Sequence, residues 1–138
     1  MYIVSQNLSN YGVLFPADCI FRINLAWINN LNELKLLLKK YPFNEIFLDL
    51  PINRTKPPNN NYSLDDLIPI IESNSNIKYF AISNVDSAAY LEPYVKVLPA
   101  TINIVPKIEN AKGISNIAEI IHKLPTSKKI IMLDHDDL

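Results

Sequence analysis

Two kinds of segment alternate along this chain, and the alternation restricts its fold more than any single motif does. Short apolar runs of strand length occupy 19–25, 45–50, 77–83, 102–109 and 129–134, and residues 1–4 add another, about six in all. Between them the apolar period changes to that of a helix. Leu31, Leu34, Leu37, Leu38 and Tyr41 share one helical face, with Asn30 as N-cap and Pro42 as the stop. Leu64, Leu67, Ile68 and Ile71 make a second face behind Ser63, with Asp66 at the capping-box distance. Pro69 inside that pattern predicts a kink or an early end. A short helix is expected from Asp86 through Leu91, disturbed by Pro93. Ile114, Ile117, Ile120, Ile121 and Leu124 form the last helical face, with Asn116 and Glu119 as its cap pair. Residues 51–62, rich in proline and asparagine, read as a loop. Strands alternating with helices imply a parallel sheet covered by helices, as a doubly wound sheet or a (β/α) barrel. In both, function gathers at the C-terminal ends of the strands.

Composition narrows the functional classes. Thirteen basic residues against fourteen acidic give a formal charge of -1, which makes no electrostatic case for nucleic acid. The single cysteine, Cys19, excludes an internal disulfide framework. No apolar run approaches the roughly 20 residues of a membrane span. Residues 1–7 lack the charged and apolar regions of a signal peptide. The expectation is a cytoplasmic protein with neither a membrane nor a nucleic-acid partner.

The strand ends carry Arg22 and Asn24; Asp49; Ser83 and Asn84; Lys107, Glu109 and Asn110; and Asp134 to Asp137. No glycine-rich phosphate loop follows the first strand. Lys107 and Glu109 are two apart on a strand, so their side chains share one side, while Ile108 faces the helices. A buried or rim ion pair is one reading of that juxtaposition. The other is a metal-binding carboxylate beside a cation aimed at an anionic substrate. Asp137, just after the next strand, would add the second carboxylate that Mg²⁺ can use. On its own, Asp134-His135-Asp136-Asp137 reads as a solvated acidic turn. Cys19 reads as core, His122 and His135 as rim or surface, and Trp27 as packing or a pocket floor.

Residues 105–120, Val105-Pro106-Lys107-Ile108-Glu109-Asn110 through Gly113 to Asn116-Ile117-Ala118-Glu119-Ile120, resemble the lysine–glutamate signature of pyruvate kinase, a K-I-E-N core followed by a glycine and an N-I-x-E-I helix. Other segments follow in family order. Phe21-Arg22-Ile23-Asn24-Leu25 resembles R-L-N-F-S-H, and Leu48-Asp49 with Arg54-Thr55 resembles L-D-T-K-G-P-E-I-R-T. Phe80 to Ala88 resembles F-I-A-L-S-F-V-R-S-A, and Met132 to Leu138 resembles M-V-A-R-G-D-L-G. The resemblance implies a pyruvate kinase-like TIM (β/α) barrel and Mg²⁺- or Mn²⁺-dependent phosphotransfer on phosphoenolpyruvate, pyruvate or a related oxoacid. It implies Glu109 and Asp137 as metal ligands, Lys107 as the cation that stabilises the transfer and the enolate, and Arg22 as a phosphate contact. Asn24 and Asp49 would belong to a monovalent-cation (K⁺) region, and Arg54 would lie near the nucleotide.

Several departures shape the expectation. The family's potassium-ligand serine is Ala26 here, its histidine is Trp27, and its T-K-G-P-E run is shortened to Leu50-Pro51-Ile52-Asn53. The A-R-G-D turn becomes Asp134-His135-Asp136-Asp137, and the loop at 51–62 stands where the family inserts a lid domain, which weighs against a nucleotide partner. A metal-dependent C–C lyase or aldolase of the citrate lyase β type therefore stands as the alternative reaction, and a degenerate barrel acting as a binding partner as the non-enzymatic one. A closed barrel typically takes eight strands and about 250 residues. The expectation is thus a single barrel domain over 1–138, incomplete at about six strands and truncated at the C-terminus, whose open edges a homo-oligomer would close.

Overall fold

The computed structural model describes residues 2–5, 16, 18–54 and 56–134. Six strands, β1 (Tyr2–Ser5), β2 (Cys19–Asn24), β3 (Ile46–Leu50), β4 (Ile77–Ile82), β5 (Asn103–Ile108) and β6 (Met132–Leu133), lie side by side in chain order. Every pairing is parallel. Sequential parallel order is that of a barrel wall. The architecture is an α/β open, barrel-like half-barrel.

The helices α1 (Leu31–Lys40), α2 (Leu64–Ser73), α3 (Glu92–Val97), α4 (Ala111–Ser115) and α5 (Ile117–Lys123) fall in the connections. The helix-facing side of the sheet supplies Phe21, Ile23, Ile46, Leu48, Phe80, Ile82, Ile104 and Ile108 to one large core with Leu34, Leu67, Ile71 and Ile120. Side chains of this size contribute about 1.5–3 kcal/mol each when fully buried. The opposite face alternates with it and holds a second apolar cluster of Ile20, Phe47, Tyr79, Ala81 and Val105, with Ile130 and Met132 packed against it. Beyond that cluster, toward the C-terminal strand ends, the same face turns polar with Arg22, Asp49, Ser83, Lys107 and Glu109.

The helix starts follow their caps. Asn30 Oδ1 accepts the Glu33 N–H, and Ser63 and Asp66 form a reciprocal capping box. Three expectations need correction. First, α2 runs past Pro69 to Ser73. Asp65 and Pro69 both lie on its exposed face, where solvent can take the carbonyl that proline cannot serve. Second, the helix expected at Asp86 begins later, as a 3₁₀ turn over Ala89–Leu91, and Pro93 opens α3 rather than disturbing it. A proline in a first turn forfeits no intrahelical bond. Third, the last helical face is split at Asn116, whose side chain makes no cap bond but donates to the Asp86 carbonyl, while Glu119 accepts the Ala88 N–H.

The last strand is also shorter than its apolar run. The Ile108 carbonyl accepts the Asp134 N–H, so Ile108 and, two residues back, Pro106 turn their backbone groups toward β6. Proline has no N–H to offer there, and pairing begins only at Lys107 opposite Met132.

Gly113 in α4 marks the tightest approach between a helix and the strand ends. A Cβ at this position would lie 2.7 Å from the Val85 carbonyl oxygen and 3.0 Å from Ile108 Cγ2. Alanine would gain about 1 kcal/mol in helix propensity, but the backbone oxygen cannot step aside and overpacking costs about 1–3 kcal/mol. Gly113→Ala should therefore destabilise on balance, read as a lower urea midpoint with an unchanged slope; a raised midpoint would refute the close approach. The Ser63 hydroxyl and backbone N–H hold the Asp66 carboxyl below its usual range. A carboxylate with a depressed folded value stabilises above its unfolded value and loses that contribution as pH falls through the folded one. Asp66→Asn should flatten this part of the acid limb of the stability curve, measured by thermal melts below pH 5.

Candidate active-site cleft

Parallel strands deliver their last residues to one rim, and the rim of β2 to β6 surrounds a cleft of about 470 Å³. Its lining includes Arg22 and Asn24 from β2, Asp49 from β3, Ser83 and Asn84 after β4, Lys107 from β5 with Glu109 just after it, and Asp134 after β6. The loop after β3 adds Ile52, Asn53, Arg54 and Lys56. Among the described lining residues four cations face three carboxylates.

Asp49 sits deepest, at 1% exposure. Its Oδ2 accepts from Arg22, through Nε at 3.1 Å and also through Nη2, and lies 3.7 Å from Lys107 Nζ. Its Oδ1 is buried with no hydrogen-bond partner. An ionised carboxylate oxygen in that state is costly unless a cation or a donor reaches it. Lys107 Nζ lies 2.8 Å from Glu109 Oε1 and 3.8 Å from Asp134 Oδ2, and it donates to Ser83 Oγ at 3.2 Å. Glu109 Oε2 in turn accepts the backbone N–H of Asn84 at 2.8 Å. Three carboxylates and a hydroxyl around Lys107 Nζ hold the side chain in place.

Of the residues singled out from sequence, Arg22, Asn24, Asp49, Arg54, Lys107 and Glu109 meet in this one cleft. They do not all reach its charged centre. Asn24 Oδ1 accepts the Ala26 N–H and starts a 3₁₀ turn, and Arg54 is exposed, with Nε donating to the Lys56 carbonyl. Asp137 lies outside the described residues. Asp134 is a correction: it is no purely solvated turn residue, because the register of Lys107 with Met132 brings its Oδ2 to 3.8 Å from Lys107 Nζ. Ser83 and Asn84 had been noted only as strand-end polar residues, and their roles come from a turn whose Asn84 adopts φ 58°.

A divalent cation would find hard oxygen donors here. Among the described residues no group of three or more His, Cys, Asp or Glu is placed to hold a metal. Glu109, with Asp134 near it, could supply at most two carboxylates, which suits Mg²⁺ because that ion keeps water and substrate oxygens in its other positions. The orphaned Asp49 oxygen is a further acceptor. The buried methyl of Ala26 offers no oxygen for a monovalent ion.

No family model matches the chain, and no curated protein does. Among solved structures, RipC from Yersinia pestis superposes with a TM-score of 0.55 at 16% identity, over 86% of this chain and 53% of that one. The chain thus spans about half the length of that structure. The likeness concerns the fold alone. Among the described residues no helix is long and apolar enough to cross a membrane.

The Arg22–Asp49 pair makes a direct prediction. Removing one partner of a buried pair typically costs about 3–5 kcal/mol, whereas an exposed pair is worth at most about 1 kcal/mol. Arg22→Ala should fall at the lower end of the first range in urea unfolding, since Lys107 still offsets part of the Asp49 charge. A loss under about 1 kcal/mol would show that Asp49 is solvated.

Proposed function

We propose that this cleft is the active site of a pyruvate kinase-like, Mg²⁺- or Mn²⁺-dependent enzyme acting on phosphoenolpyruvate, pyruvate or a related oxoacid. The observation that carries the reading is Lys107, buried at the C-terminal mouth of a parallel half-barrel and fixed 2.8 Å from Glu109. A few convergent charged groups gathered in a cleft are where catalytic sites concentrate. The sequence resemblance around 105–120 assigns the same two residues the same roles.

Glu109, with Asp137 or Asp134, would hold the divalent ion, which when bound supplies Lewis-acid charge at substrate oxygens. Lys107 would stabilise negative charge as it builds on an enolate or phosphoryl oxygen, since a preorganised cation in a water-poor site needs no reorganisation. Arg22 would contact the anionic group of the substrate while Asp49 fixes its orientation. A second reading, a metal-dependent C–C lyase, keeps these roles and needs no nucleotide. It is favoured by Arg54, the residue assigned to the nucleotide, whose guanidinium is exposed and bonded within its own loop.

Calorimetry with Mg²⁺ and oxalate, a mimic of the pyruvate enolate, tests the site. The parent should bind, Glu109→Ala should bind at least about tenfold more weakly, and identical titrations would sink the metal site. Turnover of phosphoenolpyruvate with ADP then tests the kinase reaction, and retro-aldol products from oxoacids and acyl thioesters test the lyase. In whichever reaction runs, Lys107→Met should lower kcat by about 10²–10³. No turnover in either assay would leave a binding protein.

A further inference from the structure

The turn after β4 does two things at once. Asn84, at φ 58°, gives its backbone N–H to Glu109 Oε2 at 2.8 Å and its side-chain Nδ2 to the Ile52 carbonyl at 2.9 Å. The preceding Ser83 N–H reaches the Leu50 carbonyl at 3.3 Å. The loop after β3 is therefore pinned to the turn on both sides of Pro51. Immediately past the pin, Asn53 is also left-handed at φ 58°, and Arg54 and Lys56 follow on the cleft rim.

We propose that Asn84 is a positioning residue that ties the loop bearing Arg54 and Lys56 to the Glu109 carboxylate, so that the two respond together when the cleft fills. Its value for ligand binding rests on the function proposed above; the mechanical link does not. The residue type follows from the two bonds. A left-handed backbone favours glycine, asparagine or aspartate. Glycine could serve Glu109 but has no side chain for Ile52. Aspartate would present only acceptors to a carbonyl. Asparagine alone meets both demands. The link also joins the rim cations to the acidic floor. A displacement of Glu109 toward an ion pulls on the Asn84 amide, and the strain reaches Ile52 through a side chain of two rotatable bonds.

Amide hydrogen exchange on the full chain, without metal, tests the link as a double-mutant cycle. Exchange at residues 52–56 is read relative to the β4 amides, which normalises any global loss of stability. Asn84→Gly keeps the backbone conformation and should speed exchange at 52–56 about fivefold, the worth of one ordinary hydrogen bond. Glu109→Ala should have a similar effect, and the double variant should be no faster than the faster single one. Glu109→Gln, which keeps an acceptor for the Asn84 N–H, should return toward the parent, and Asn84→Asp should behave like Asn84→Gly. Additive effects, or exchange unchanged in Asn84→Gly, would overturn the proposal. Mg²⁺ with oxalate should then slow exchange at 52–56 in the parent and not in Asn84→Gly. If the parent binds no ion while the metal-free cycle is non-additive, the proposed function fails and the link stands. If the ion binds and slows exchange equally in both proteins, the link fails and the site stands.

Discussion

The structure depends on one buried charge, the Asp49 carboxylate. It sits between the Arg22 guanidinium and the Lys107 ammonium, and it thereby joins β2, β3 and β5 at the level where the inner face of the sheet changes from apolar to charged. Below it, Phe47, Tyr79 and Val105 need no polar partners. Above it, Ser83, Lys107, Glu109 and Asp134 do. Asp49 neutralises part of two positive charges that would otherwise repel each other across β3 and β4. It leaves Lys107 close to Glu109, and Glu109 in turn fixes the turn after β4.

Such a layer is a poor investment if stability is the aim. Desolvating an ion pair often costs as much as the pair returns, and apolar side chains of the same size would hold the strands together at least as well. One carboxylate oxygen on Asp49 is even left without a partner. The outer face of the same strands shows what the chain does when only packing matters: Phe21, Leu48, Phe80 and Ile108 are all fully buried and apolar. The contrast between the two faces marks the inner rim as the place where apolar packing gives way to charge.

The wall of the half-barrel is legible because β2 to β5 are buried on their helix side, which gives a strong apolar signal, and because caps such as Asn30 and Ser63 mark the helix starts locally. The Lys107–Glu109 pairing was legible for an equally local reason, the two-residue period of a strand. What escaped depends on contacts between distant segments. Asn116 reads as a cap, yet its amide is taken by the Asp86 carbonyl thirty residues away. Asp134 belongs to an acidic run that suits a turn, and only the β5–β6 register places it by Lys107. Pro93 carries no sign of whether it ends one helix or begins the next. Ser83 and Asn84 fall in a segment with a family resemblance, yet nothing in it signals the left-handed turn on which the bonds of Asn84 rest.

Pro106 shows how one residue shapes both the edge and the site. Its ring removes a donor on the β6 side, so β6 is held only beyond that point, through Lys107 and Ile108. The pairing that remains is the pairing that sets Asp134 near Lys107. Had the strand paired along its full apolar run, from 129 onward, the edge would present a longer row of backbone groups while the rim would gain nothing. The proline therefore confines the pairing of β5 with β6 to Lys107 and Ile108, so Met132 packs on the inner cluster from within the ladder while Ile130 packs there ahead of it.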